Sequence, residues 1–423
     1  MIQKRALGPW LVIAGSIFNV SLCFVSTRHW AAIGSAEVTV IELAILSAGA
    51  FFIRGRLTNE FLQVGFLLAT YMIALKLINP DADLKILPDI AIMYIFYKLG
   101  TLSSVEIGHR TLWAIMLIVL SLGLFELLDL KAFGKVFDVW SYYVDKGGIA
   151  QDVVNYGNTT SFVSASRGDA EMRTFLPGIL GAHRVSSIFL EPVSMGNFSV
   201  ITMAWCLSTT VGTPRSRALL MACAVFCSVL ADSRFGGACC VLLLMVRLAS
   251  LRSDLFAFLL PILVLMALVV VGTLNGMPGD ATPSIMTDNF SGRLLFSARL
   301  LAGWDPGQWL GWTASNVYTA DTGYAYLING IGLPFTLLLL FLFAANRCET
   351  EEAVRMKIMI SIYFAAALSI GASVFTIKTG ALLWFLYGTT NAVASTAQTR
   401  LRPVRRPQEG RPHTIMPMVN RNA

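Results

Sequence analysis

The chain reads as an all-α polytopic membrane protein of about 12 transmembrane helices with two large periplasmic loops. Three observations carry that reading. Of 423 residues 56% are hydrophobic and 13% are charged, about half the charge density that covers a water-soluble domain. The mean hydropathy is +0.67. Apolar stretches of roughly 20 residues, enough to cross a bilayer core of about 30 Å, recur along the chain. Gly (34), Pro (15) and Cys (7) are ordinary in number, which excludes collagen-like and disulfide-scaffold classes.

The apolar stretches fall at residues 9–27, 31–53, 60–79, 84–102 and 111–130, then 192–211, 217–232, 236–251 and 255–274, and finally 324–344, 355–375 and 380–398. Lys and Arg are retained on the cytoplasmic side of short loops. With the N-terminus inside, that side receives Lys4, Arg5, Arg54, Arg56, Arg110, Arg215, Arg217, Arg247, Arg252, Arg347, Arg355 and Lys357. A basic tail at 399–423 adds Arg400, Arg402, Arg405, Arg406, Arg411 and Arg421, a segment suited to anionic lipid. An even number of spans puts both termini in the cytoplasm, and the first span needs no cleavable signal. The net charge of +7 therefore reports membrane topology and implies no nucleic-acid partner.

The chain divides into helices 1–5 (1–130), a large outward loop (131–191), helices 6–9 (192–274), a second loop (275–323), helices 10–12 (324–398) and the tail. Phe133, Val136, Phe137, Trp140 and Tyr143 form a helical apolar stripe. It suits either a helix lying in the outer interface or one packed on other extramembrane structure. No cysteine lies in either outward loop, so none can be stapled by a disulfide there.

Metal, nucleotide and soluble-hydrolase signatures are missing, and the four histidines are scattered; no cofactor or metal is expected. Intramembrane and interfacial polar residues remain as functional candidates. In the run from Gly181 to Gly196, Pro192 disfavours helix at Glu191 and suits a first helical position. The sixth span should begin there, with free N–H groups near Arg184, a setting that attracts phosphate. The alternative is that Glu191 only caps the helix and Arg184 pairs with lipid phosphate or a carboxylate. In the turn from Asp232 to Gly237, Arg234 should sit at the outer interface. There it either snorkels to headgroups, binds an anionic substrate or is neutralised by Asp232. The second loop offers Arg293, Arg299, Asp305, Asp321 and Tyr324. Arg293 and Arg299 would lie about 120° apart on a helix, and Asp321 is either a cap or a general base.

Taken together, Arg184, Ser187 to Pro192, Ser233-Arg234 and Asp321 to Tyr324 resemble, in order and layout, the O-antigen and exopolysaccharide polymerases and the related O-antigen ligases. The resemblance is best over residues 170–345. An Arg-x10-Gly pattern of some such polymerases is missed by one residue, both at Arg184 to Gly196 and at Arg293 to Gly303. Ligases often carry His where this chain has Asp321, which favours a polymerase. The resemblance implies transfer of glycan from a polyprenyl-diphosphate carrier to a sugar hydroxyl, at the outer face of the bacterial inner membrane. Arg184 and Arg234 would hold the diphosphate, with Arg293, Arg299 and Tyr324 as further substrate contacts. Asp321 or Glu191 would serve as base. Partners would be a lipid-linked oligosaccharide, membrane lipids, a chain-length regulator and a flippase. Two rivals are a twelve-span transporter or glycolipid flippase, and a glycosyltransferase using a lipid monophosphate sugar. The short Gly212 to Ser216 link and the absence of acidic residues around Arg28 to Trp30 weigh against each in turn.

Overall fold

A computed structural model describes residues 7–56, 59–82, 84–147, 175–181, 183–249, 254–276, 290–317, 319 and 322–392. Among them every regular element is a helix. Lys4, Arg5, Asp83, Arg252, Asp321 and the basic tail lie outside the described residues.

The first half contains α1 (Leu7–Thr27), α2 (Ser35–Ile53), α3 (Asn59–Ile78), α4 (Ile86–Thr101) and α5 (Val105–Leu128). Short helices α6 (Leu130–Val136), α7 (Val139–Asp145) and α8 (Pro177–Leu180) follow. The second half contains α9 (Pro192–Ser208), α10 (Pro214–Leu230), α11 (Arg234–Ala249), α12 (Asp254–Asn275), α13 (Phe290–Ala302) and α14 (Pro306–Leu310). It ends with α15 (Gly323–Ala345), α16 (Glu351–Ala367) and α17 (Ile377–Thr390). Each of the twelve apolar stretches coincides with one helix. Five of these, α1, α2, α5, α12 and α15, are long and apolar enough to cross a membrane.

Helix starts follow the expected cap chemistry. Ser104, Thr213 and Thr350 each accept a backbone N–H with the side-chain oxygen at the head of α5, α10 and α16, and Pro occupies the first position of α9 and α10. Burial then sorts the helices. Every residue of α17 is buried, and nearly every residue of α9, so these form the centre. In contrast α3, α11 and α12 carry exposed Phe66, Leu248 and Leu274, the apolar outward face expected of helices that meet lipid.

Close packing at the centre depends on small residues. A Cβ at Gly388 would fall 2.0 Å from the carbonyl oxygen of Tyr97, and one at Gly100 would fall 2.1 Å from that of Phe385. Only glycine permits α4 and α17 to approach this closely. Backbone bonding is completed across helices as well. Pro261 inside α12 lacks the N–H that Ala257 O would accept, and Ser361 Oγ of α16 donates to that carbonyl at 2.9 Å.

Two features of the sequence take a definite form here. The apolar stripe of the first outward loop is carried by two short helices, because Asp138 ends one register and caps α7 through Ser141 N–H. Phe133 meets Phe125 edge-on and Phe137 at a tilt, Tyr142 and Tyr143 are buried, and Tyr142 donates to Asn19 of α1 at 2.9 Å. Packing on protein is thus the role the geometry gives that stripe. Lys357, assigned to the cytoplasmic edge of the stretch 355–375, is 1% exposed within α16 and donates to Ala344 O at 2.8 Å, a cation on the carbonyl end of α15.

Candidate functional site

The segment 183–191 is positioned by one buried carboxylate. Glu126, at the end of α5 and 2% exposed, accepts from the N–H groups of Ser186 and Ser187, from Ser186 Oγ and from His183 Nε2 at 2.6–3.1 Å. Hydrogen bonds to a carboxylate contribute more than neutral ones, and here they fix a 3₁₀ turn, Ser187–Phe189. Ser187 and Leu190, on either end of it, hold positive φ (53° and 59°). Such backbone costs on the order of 1–3 kcal/mol per residue and persists where the surroundings over-determine it.

The same segment carries Arg184 to the α10–α11 turn. Arg184 Nε donates to Ala231 O at 3.1 Å and Val185 N to Leu230 O at 3.0 Å. Asp232, next in that turn, also has positive φ (48°) and accepts the N–H of Phe175 at 2.9 Å. Ser233 Oγ caps α11 through Gly236 N–H, leaving Arg234 exposed at the first position of α11. Close approach of this turn to α9 requires Gly196, whose Cβ would fall 2.2 Å from Ser233 Oγ. Arg184, the turn that precedes α11 and the N-terminal part of α9 therefore pack together.

α9 begins at Pro192, the predicted position. Glu191 precedes it but makes no side-chain cap bond. Its Oε1 instead lies 3.1 Å from Lys378 Nζ and accepts from Tyr143 OH at 2.6 Å, and its Oε2 accepts from Ser194 Oγ at 3.0 Å. Lys378, 7% exposed at the start of α17, also donates to Phe189 O at 3.3 Å. Burial opposes the Glu191 charge, but the Lys378 ammonium and the hydrogen bonds of Tyr143, Lys378 and Ser194 outweigh it and hold the carboxyl below its ordinary value. Burial first, and the Glu191 charge second, push the Tyr143 hydroxyl well above its own ordinary value. Lys146, at the end of α7, is brought down to about 8, by burial and then by Lys378 and Lys85, with Glu191 pulling the other way. The result is a cation-rich cluster in which Glu191 stays ionised.

The second outward loop contributes differently. Arg293 and Arg299 lie on α13, which packs on α12 and α15, whereas the Glu191 carboxylate is held from α7, α9 and α17. Asp305 caps α14, accepting Gln308 N–H at 2.8 Å. Tyr324, expected as a substrate contact, is 1% exposed and its hydroxyl donates to Pro261 O at 2.8 Å. Asp321 precedes the described Thr322. Tyr324 N–H donates to Leu368 O, so α15 starts beside the turn at 369–373, whose Ser373 Oγ accepts from Asn197 of α9 at 2.7 Å.

Lys378 and Glu126 were missed in the sequence, and Tyr143 entered only as part of the apolar stripe. A lone Lys at the edge of the last span and a lone Glu within the fifth were the available signals, since charge at such depth is costly without a partner. Asn197 Oδ1 is also buried, with no hydrogen-bond partner among the described residues.

No family model, curated protein or solved structure matches the chain. Among the described residues no group of three or more His, Cys, Asp or Glu side chains could hold a metal ion.

Proposed function

We propose that the protein is a polysaccharide polymerase that transfers a glycan from a polyprenyl-diphosphate carrier to a hydroxyl of another lipid-linked repeat unit. On this reading all twelve apolar helices span a bacterial inner membrane, both termini are cytoplasmic, and the Glu191 end of α9 faces the periplasm. The observation that carries the reading is the bond from Arg184 to Ala231 O, beside Arg234 and the head of α9. Two arginines and the first turn of a helix, brought to one end of the bundle, suit a diphosphate leaving group.

In the proposed reaction the acceptor hydroxyl oxygen attacks the anomeric carbon as the bond from that carbon to the diphosphate oxygen breaks. The hydroxyl proton passes to a carboxylate, and the charge left on the lipid diphosphate is met by Arg184 and Arg234. A carboxylate with a depressed pKa is a weak base, so Glu191 is better suited to holding Lys378 in place. That assigns the base to Asp321. Lys378 adds positive charge where the leaving group develops negative charge.

Purified protein incubated with a polyprenyl-diphosphate-linked repeat unit should yield a ladder of longer lipid-linked chains. A single addition to a different lipid acceptor would indicate a ligase, and substrate moved across a vesicle unchanged would indicate a flippase. Full polymer from correctly inserted Arg184→Ala and Arg234→Ala variants would overturn the site assignment.

A further inference from the structure

A second basic site lies at the other end of α9. A cavity of about 240 Å³ is lined by Ser208, Thr209, Pro214, Arg217, Arg247 and Arg355, where α9 ends, α10 and α16 begin and α11 ends. It is one length of α9, about 25 Å, from Glu191. Its volume is several times the roughly 30 Å³ share of one water molecule, room for a hydrated phosphoryl group.

Three guanidinium groups line this space, and structural bonding uses only part of their capacity. Arg217 Nη1 donates to Thr209 O at 2.8 Å, and Arg355 Nε donates to Ser208 O at 3.0 Å. These bonds finish the carbonyl end of α9. Arg217 Nε is buried with no hydrogen-bond partner among the described residues. Ser208 Oγ is in the same position, on a residue 1% exposed. A buried polar atom left without a partner is costly, so two of them beside one basic cavity point to a ligand that completes them.

The charge balance supports the same conclusion. Arg355 is met by Glu351 at 3.3 Å, and Glu352 accepts the N–H and hydroxyl of Thr210. Arg217 and Arg247 make no ion pair among the described residues. Three cations thus stand against two carboxylates, while the positive heads of α10 and α16 are offset by the carbonyl ends of α9 and α11. On the reading in which α9 spans the membrane, the cavity lies at its cytoplasmic end, level with lipid phosphates.

We propose that this cavity binds a phosphoryl group, presented either by an anionic lipid headgroup or as free phosphate, with Arg217 and Arg247 as its cationic ligands and Ser208 as a hydroxyl ligand. The site is independent of the reaction proposed above.

The test uses purified full-length protein in neutral detergent. One arm measures retention of phosphatidylglycerol against phosphatidylcholine by native mass spectrometry. The other titrates inorganic phosphate at constant ionic strength and reads heat. Arg247→Gln, which removes no structural hydrogen bond described above, should weaken binding about tenfold, Arg217→Gln at least as much, and Ser208→Ala about threefold. The control Arg215→Gln, an exposed arginine outside the cavity lining, should leave binding unchanged. Preferential retention of phosphatidylglycerol assigns the headgroup as source, and binding of inorganic phosphate alone assigns the free ion. Binding in neither arm, or equal losses for Arg215→Gln and Arg247→Gln, overturns the proposal.

Discussion

Lys378 Nζ lies 3.1 Å from Glu191 Oε1, tying the first turn of α17 to the residue that opens α9. The two residues are 187 positions apart in the chain, and both helices are central to the bundle. Lys378→Gln leaves the Glu191 charge half-buried and unmatched. We expect a loss of roughly 2 kcal/mol, below the 3–5 kcal/mol of a fully buried pair because Glu191 keeps 29% of its side chain exposed. Thermal unfolding in detergent measures this. Unchanged stability in both Lys378→Gln and Glu191→Gln would remove the pair from the account.

The depressed pKa of Glu191 sets the sign of its pH dependence. Its contribution is complete above the ordinary glutamate value of 4.5 and is lost as the pH falls below that, through the folded value. Wild type and Glu191→Gln should therefore converge in stability on acidification, with their difference constant from pH 6 upward as far as Glu191 is concerned.

Lys146 behaves in the opposite sense. Its folded pKa of about 8 lies under the ordinary 10.5, so the folded protein holds fewer protons than the unfolded chain between those values, and stability rises with pH there. Lys146→Gln should be more stable than wild type at pH 7, by about 1–2 kcal/mol after allowance for partial solvation. That advantage should shrink as the pH is raised past 8. A constant difference up to pH 10 would contradict the assignment.

Glu126 acts through the segment it holds. Glu126→Leu removes four acceptor contacts from residues 183–187 and leaves the Ser186 and Ser187 N–H groups unmatched, a cost of roughly 2–4 kcal/mol. Limited proteolysis should then cut at 183–191 well before any other described segment, and polymer synthesis should fall with it. Glu126→Gln should show a milder form of both effects.

Gly388→Ala and Tyr324→Phe test packing against chemistry. A Cβ at Gly388 meets the Tyr97 backbone at 2.0 Å, where no side chain can yield, so the variant should lose at least the 1–3 kcal/mol usual for overpacking. Tyr324→Phe removes one bond to Pro261 O and should cost about 1 kcal/mol while leaving turnover within twofold. A large fall in turnover at wild-type stability would restore Tyr324 to the substrate contacts.

The positions of the apolar helices were legible in the residues because their signal is local. Twenty apolar residues in a row, a Thr or Ser cap, or a Pro at a first position act within one turn or one span. Pro192 is the clearest case, since its missing N–H and restricted predecessor placed the start of α9 directly. Neighbourhood between distant residues was not legible. Arg184 and Arg234 were each singled out by position and charge, and the packing of Gly196 on Ser233 brings their segments to one end of the bundle. Lys378 looked like the edge of a last span, and Glu126 like an isolated charge in a fifth. Each gains its role from a partner far away in the chain, because a buried charge is tolerated only where folding delivers its counter-charge or donors. Tyr324 shows the converse: a polar residue in a suggestive motif is committed to a helix carbonyl by packing. Composition and periodicity thus determined the helical, membrane character of the chain, and tertiary structure decided which of its few charges meet.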